Sequence, residues 1–249
     1  MRIGIMQSYF FPYIGYFQAI HAVDQYHLYE HFNYIKDGWM HRNRIQGSNK
    51  SPFYFSVPVT GRSSHRRISE IKLVEGSFWR RKLKTALTLN YRAAPFFEET
   101  YAVVEPLLEN QLPTLHEYNS AIIRGICNHL NIQTRIVSEH THYLELETAL
   151  EQRNESAVAG DEPSKKVHRV LQICLEEEAT TFVNAIGGAE LYDKAQFAEA
   201  GVDLRFVKTL PVSYQQSGDE FQPNLSILDV LMFCGREGAG QLLKQYELV

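Results

Sequence analysis

Cysteine is scarce in this 249-residue chain, with three residues at positions 127, 174 and 234. Their odd number, wide spacing and apolar helical surroundings exclude a disulfide framework and a Cys-x-x-Cys metal site. Cys127, Cys174 and Cys234 therefore read as reduced core thiols, as expected in the cytoplasm. Long apolar runs are also missing: nowhere do about 18 apolar residues follow one another. The first residues lack a basic region leading into an apolar stretch and a cleavage site. The expectation is a soluble, unsecreted chain without membrane insertion. No charge sign dominates, since 25 Lys and Arg stand against 29 Asp and Glu for a formal net charge of -4. Without a whole-protein positive field, nucleic acid is not an expected partner, except as an aminoacyl-tRNA donor held by a local basic face.

Familiar catalytic templates are absent too. The chain has no H-E-x-x-H, no G-x-x-x-x-G-K-[ST], no G-x-S-x-G and no G-x-G-x-x-G. Metalloprotease, P-loop, hydrolase and dinucleotide-binding readings fail with them. His140 and His142 stand two apart without a ligating set around them, so neither metal nor cofactor is expected.

What is present is an ordinary globular composition, 44% hydrophobic and 22% charged, with elements that alternate along the chain. RIGIM at 2–6 reads as a buried strand, PYIGYFQAIHAVD as a helix and QYHLYEHFNY as a second strand. WMHRNRIQGSNKSPFYFSVPV holds two short β pieces around a GSNKSP turn. FWRRKLKTALTLNYR, PFFEETYAVVEPLLEN and PTLHEYNSAIIRGICNHL read as three successive helices, a helical insertion over 61–131. TRIVSEH returns to strand, and 151–163 reads as a mobile loop placed where a lid would sit. A helix capped by Ser164, a strand TTFVNAI, a helix closed by Gly201 and a strand VDLRFVK follow. A last helix carries Leu225, Leu228, Leu231 and Met232 in its stripe, with Asn224 as its cap and Gly235 as its stop. Long crossovers between strands imply one α/β domain over 1–249, a Rossmann-like, mostly parallel sheet flanked by helices.

In open parallel sheets ligands lie beyond the carboxyl ends of strands, so the loop from Gln7 to Pro12 is a privileged place. Gln7 brings an amide, Tyr9 and Tyr13 bring phenols and flat faces, and the following helix start brings free N–H groups. That set suits a sugar, a base or a phosphate, whereas Phe10, Phe11, Tyr16 and Phe17 read as core. A polar amide such as Gln7 at a buried strand end must be paired, either as a bracket or as a ligand contact. In HRNRI, alternation aims Arg42 and Arg44 to one face with Asn43 between them, a grip for phosphate or carboxylate or else a solvated edge. His41 is a candidate base near neutral pH. Ser226 and Asp229, three apart on the last helix, bond each other, reach a ligand or brace the interior. The basic runs RSSHRR, WRRKLK and KK at 165–166 read as solvated faces.

Three segments together resemble a known family. QSYFFPYIGYFQAI, then WMHRNRI with FYFSVPV, then GGAELYDKAQFAEAGVDLRFV with PVSYQQSGDEFQPNLSILDVLMFCG, are similar to the WbqC-like proteins of bacterial polysaccharide gene clusters, over nearly the whole chain. The resemblance implies a role in O-antigen or related surface-glycan biosynthesis, with transfer of glycine or another amino acid onto an amino sugar. It carries over Gln7, Tyr9, Pro12, Gly15 and Tyr16, then Arg42, Asn43 and Arg44, then Tyr214, Gln215, Ser226 and Asp229. Ser8 stands where the family usually has proline. The first helix also resembles that of nucleotidylyltransferases, but Y-I-G-Y at 13–16 replaces H-x-G-H, which removes the transition-state donors.

The expected activity is therefore acyl or aminoacyl transfer to a nucleotide-linked amino sugar, with an unidentified acyl donor. The sugar is expected against Gln7 and Tyr9, and the pyrophosphate near Arg42, Arg44 and the first helix. The base is His41 or Asp229. No serine or cysteine reads as an activated nucleophile, which favours direct transfer. Two other readings stand beside it: a non-catalytic nucleotide-sugar-binding or scaffold protein, and a divergent nucleotidyltransferase-like enzyme.

Overall fold

The computed structural model describes residues 1–47, 49–156, 162–218 and 220–249. The RIGIM run forms β1 (Arg2–Met6), followed by α1 (Ile14–His21) and β2 (Gln25–Leu28). All of β2 is buried, as in a strand covered on both faces. It ends short of the expected Tyr34: Tyr29 N–H still donates to Met6 O at 2.9 Å, and the chain then leaves the sheet. A hairpin of β3 (Arg42–Gln46) and β4 (Pro52–Ser56) sets Arg42 opposite Ser56 and Gln46 opposite Pro52. A short antiparallel pair follows, β5 (Val59–Thr60) and β6 (Lys72–Leu73).

Three consecutive helices come next: α2 (Phe78–Tyr91), α3 (Phe97–Glu109) and α4 (Leu115–His129). A capping box starts α4, with Glu117 N–H donating to Thr114 Oγ1 at 3.2 Å and Thr114 N–H to Glu117 Oε2 at 3.0 Å. Leu87, Leu108 and Ile122 of these helices share one apolar cluster with Phe17 and Ile20 of α1. The helical layer is thus packed directly on the sheet core.

The chain continues through β7 (Arg135–Val137), α5 (Leu144–Ser156), α6 (Glu162–Glu176) and β8 (Thr181–Ala185). Helix thus occupies both ends of the stretch read as a loop over 151–163, and its middle, 157–161, lies outside the described residues. Ser164 falls inside α6, not at its start. The last elements are α7 (Lys194–Glu199), β9 (Asp203–Thr209), α8 (Ile227–Leu242) and β10 (Tyr246–Leu248). The cap of α8 is Ser226 and not Asn224: Leu228 N–H donates to Ser226 Oγ at 3.3 Å. Gly235 breaks the helix at φ 63°, a conformation glycine adopts without strain, and the chain then resumes helix to Leu242.

The main sheet has the order β10-β9-β8-β1-β2-β7. Its pairs are parallel except for β10 against β9 at one edge. Strands added after β1 run to one side as β2 and β7, and then to the other as β8 and β9. The order reverses at β1, which opens a crevice beyond its carboxyl end. The Gln7–Pro12 loop stands there.

Candidate functional site

The loop after β1 takes an uncommon shape, since Phe11 has φ 40°. Such a conformation in a bulky residue costs about 1–3 kcal/mol and persists only where its surroundings hold it. Here the Phe11 carbonyl accepts from Asn43 Nδ2 at 2.8 Å and from Ser226 Oγ at 2.7 Å. Asn43 Nδ2 also donates to Phe10 O at 3.0 Å, and Phe10 N–H donates to Trp39 O at 3.0 Å. Ser226 N–H reaches Arg44 O and Ile227 N–H reaches Pro12 O, both at 2.8 Å. Asn43 and Ser226 are thus brackets that fasten three distant segments into one unit. Phe10 and Phe11 are fully buried, with Phe10 stacked on Phe55 at 5.1 Å between centroids.

On the outer side of this unit, Tyr9, Pro12, Tyr13, Trp39, Asn43, Arg44 and Asn224 line an open pocket of about 340 Å³. The Arg44 guanidinium carbon lies 5.5 Å from the Trp39 ring centroid. Arg42, on the same face of β3, sits 4.9 Å from the Tyr54 ring centroid and donates from Nη2 to Asp37 O at 2.7 Å. The Nε atoms of both arginines are buried without a hydrogen-bond partner. Burial, aided by neighbouring Tyr13, pushes the Tyr9 phenol up to about 12, and burial raises Tyr13 as well. Both phenols are therefore protonated donors at neutral pH, not bases. Gln7 acts behind this wall: its Oε1 accepts from Tyr9 OH at 3.1 Å, and its backbone carbonyl from Tyr16 OH at 2.7 Å.

The two candidate bases lie elsewhere. His41, just before β3, is 6% exposed, with Nδ1 2.8 Å from the Tyr34 hydroxyl. Burial, then the charges of Arg62 and Arg42, lower it to about 4, so it is a neutral, enclosed imidazole. Asp229 is fully buried and accepts from Tyr91 OH at 2.7 Å, Tyr214 OH at 2.8 Å and Gln216 Nε2 at 2.8 Å. Burial pushes its carboxyl up, against the pull of those three donors. Neither His41 nor Asp229 lines the pocket. Ser226 and Asp229 meet only through the backbone, Asp229 N–H to Ser226 O at 2.9 Å. Gln215 is exposed, and its neighbour Gln216 holds the buried place. Alternation in YQQS carried that signal, because it sets Gln216 on the same side as Tyr214. Trp39 and Asn224 join the site without having been singled out for it; an aromatic three residues before Arg42 was the readable sign of Trp39.

Cys127 and Cys174 are buried and pushed up to about 12 by that burial, and Cys234 to about 11, which fits inert thiols. Among the described residues no group of three or more His, Cys, Asp or Glu is arranged to hold a metal ion. No helix among them is long and apolar enough to cross a membrane.

Gly15 guards the pocket from behind. A Cβ there would stand 2.4 Å from Tyr13 Cε2 and 2.9 Å from Thr209 Oγ1, and that hydroxyl is fixed by donating to Gln18 Oε1 at 2.7 Å. Tyr13 would have to move. Gly15→Ala is expected to keep the fold, seen as an unchanged far-ultraviolet circular dichroism spectrum, and to weaken ligand binding by about tenfold in titration. Unchanged binding would remove Tyr13 from the site.

Comparison with known proteins gives two matches. The profile of the WbqC-like protein family matches residues 7–240. The uncharacterised protein Rv1507c of Mycobacterium tuberculosis is 29% identical over 244 residues, which cover 97% of each chain. No solved structure matches.

Proposed function

This chain belongs to the WbqC-like protein family, and from that premise we propose that it serves surface polysaccharide biosynthesis by transferring an acyl or aminoacyl group, such as glycine, onto a nucleotide-linked amino sugar. One observation carries the substrate class: the Arg44 guanidinium, beside the Trp39 ring and with a buried, unpartnered Nε, lines a pocket walled by Tyr9, Tyr13 and Trp39, and Arg42, next to the Tyr54 ring on the same face of β3, also has an unpartnered Nε. Arg44 and Arg42 suit the pyrophosphate, which accepts planar, charge-assisted donors. The rings suit a sugar or base face.

In the transfer, the sugar amine attacks the activated carbonyl, the C–N bond forms, and the donor's leaving group departs with its electron pair. The Tyr13 phenol, which keeps its proton, supplies a donor to the oxyanion. The amine proton passes to solvent through the open mouth, since His41 and Asp229 are enclosed elsewhere. An aminoacyl-tRNA donor would find a narrower basic face on α2 than WRRKLK implies. Arg80 is buried there and donates to the carbonyls of Leu108, Gly76 and Asn110.

A second reading, binding without chemistry, is favoured by the lack of any imidazole or carboxylate among the lining residues of this pocket. Nucleotidyl transfer is disfavoured because Tyr16, at the place of a histidine, is 4% exposed and donates to Gln7 O. Mass spectrometry separates the readings: nucleotide amino sugars are incubated with the protein and candidate acyl donors. A product heavier by one acyl or aminoacyl unit is expected. A ligand-induced rise in melting temperature without any such product would establish the binding reading instead.

A further inference from the structure

Two basic runs that read as solvated faces in the sequence, RSSHRR and KK, converge in the fold. His65 and Arg67 from the first, and Lys165 and Lys166 from α6, line a pocket of about 290 Å³ together with His31 and Arg169. It shares no lining residue with the pocket of Trp39 and Arg44.

Its walls are fixed by buried Glu147 and by an exposed ion pair of Arg67 with Glu151. Glu147 is 2% exposed and accepts from Arg169 Nε at 2.6 Å and Nη2 at 2.8 Å, and Tyr29 OH donates to it at 2.7 Å. Arg67 Nη2 donates to Glu151 Oε1 at 2.7 Å, and its Nη1 lies 3.4 Å from His31 Nδ1. Arginine only donates, so His31 Nδ1 accepts, and His31 Nε2–H faces the His140 carbonyl at 2.9 Å. These contacts hold His31, Arg67 and Arg169 in place before any ligand arrives.

Among the described lining residues the charge is not balanced. Four cations, Arg67, Arg169, Lys165 and Lys166, face two carboxylates, and both carboxylates are taken up by the two arginines. Among the described residues neither lysine has an ion-pair partner. A concave surface with two surplus positive charges stands out in a chain whose formal net charge is -4. Like charges so placed repel, and a dianion relieves the repulsion. We infer that this pocket is a second, phosphoryl-binding site, in which Lys165 and Lys166 neutralise a phosphate monoester or pyrophosphate and Arg67 and His65 add donors. A phosphoryl group fits better than a carboxylate because the cations approach from two separate segments, and its oxygens accept from several directions. The inference does not depend on the reading of the first pocket.

Calorimetric titration with inorganic pyrophosphate tests it, carried out on the Arg44→Ala protein so that the first pocket contributes least. One site is expected, weakened by about tenfold or more in Lys165→Ala/Lys166→Ala, and weakened also by added salt. Lys165→Arg/Lys166→Arg keeps the charge and is expected to retain binding. Undetectable binding to the Arg44→Ala protein would overturn the inference. So would wild-type affinity in the double alanine variant, or equal loss in the alanine and arginine variants.

Discussion

Asp229→Ala is expected to unfold roughly 6–12 °C below the wild-type chain, a loss of about 3 kcal/mol read by thermal denaturation. The carboxylate is fully buried, and it is the common acceptor for Tyr91, Tyr214 and Gln216. Removing it takes the acceptor from the Tyr91 and Tyr214 hydroxyls at once, while Gln216 Nε2 keeps the Gln222 carbonyl at 3.1 Å. Tyr91 belongs to α2 and Gln216 to the stretch before α8, so their shared anchor ties the helical layer to the end of the chain. Gln216 cannot compensate by turning its amide, because its Oε1 accepts from Gln222 N–H at 2.7 Å. Asp229→Asn keeps one acceptor but sets an NH2 against Gln216, so an intermediate loss is expected. pH adds a second readout. Burial holds the folded carboxyl above its ordinary value of 3.8, so between that value and the raised one the folded state binds more protons than the unfolded state. The stability this contributes is full below 3.8 and is lost as pH rises through the folded value. The advantage of wild type over Asp229→Asn should therefore be largest in acid and shrink towards neutral pH. A pH-independent difference would contradict the buried carboxylate.

Arg44→Ala carries the largest expected effect on binding. Its guanidinium lies beside Trp39 in the pocket, and its Nε is already desolvated without a partner. Much of the cost of preparing it for an anion is therefore met before the ligand arrives. Loss of one charge-assisted contact to a pyrophosphate, about 1.5–3 kcal/mol, corresponds to roughly 10–100-fold weaker binding of a nucleotide sugar. The melting temperature of the free protein should hardly change, because the side chain is half-buried at the pocket's edge and holds no other element in place. Arg44→Lys should restore only part of the affinity, since an ammonium neither stacks on Trp39 nor forms a planar fork. Wild-type affinity in Arg44→Ala would displace the ligand from this pocket altogether.

Much of the framework was readable because hydrophobic period reports local structure. RIGIM, TRIV, TTFVNA and DLRFV are short apolar runs bounded by turns, and each became a parallel strand. The end of β2 was not readable: Tyr29 and Tyr34 are as apolar as the strand before them, but they are buried outside the sheet. The three-residue β10 was missed, since Tyr246 to Leu248 are partly or wholly exposed and carry no core signature.

At the candidate site, Tyr9, Tyr13, Asn43 and Arg44, singled out from spacing, line one pocket, and several of their polar groups have partners that spacing does not reveal. Asn43 lines the pocket beside Trp39 and Asn224, but its amide is also committed to the Phe10 and Phe11 carbonyls, and Ser226 Oγ is committed to the Phe11 carbonyl. A polar side chain between apolar neighbours has to be satisfied. Whether by ligand or by a carbonyl from a distant loop depends on tertiary approach, which spacing does not encode.

The central position of β1 also decides when the protein can finish folding. β1 pairs with β2, its near neighbour along the chain, yet its other edge waits for β8, and Met1 and Thr180, which share a hydrogen bond, are 179 residues apart. Closing so large a loop is slow, and until it closes one side of β1 presents unpaired backbone and Ile3 to whatever is near. Nascent or truncated chains that stop before Thr181 therefore carry an open strand edge in the middle of what should be the core, the kind of surface on which aggregation starts.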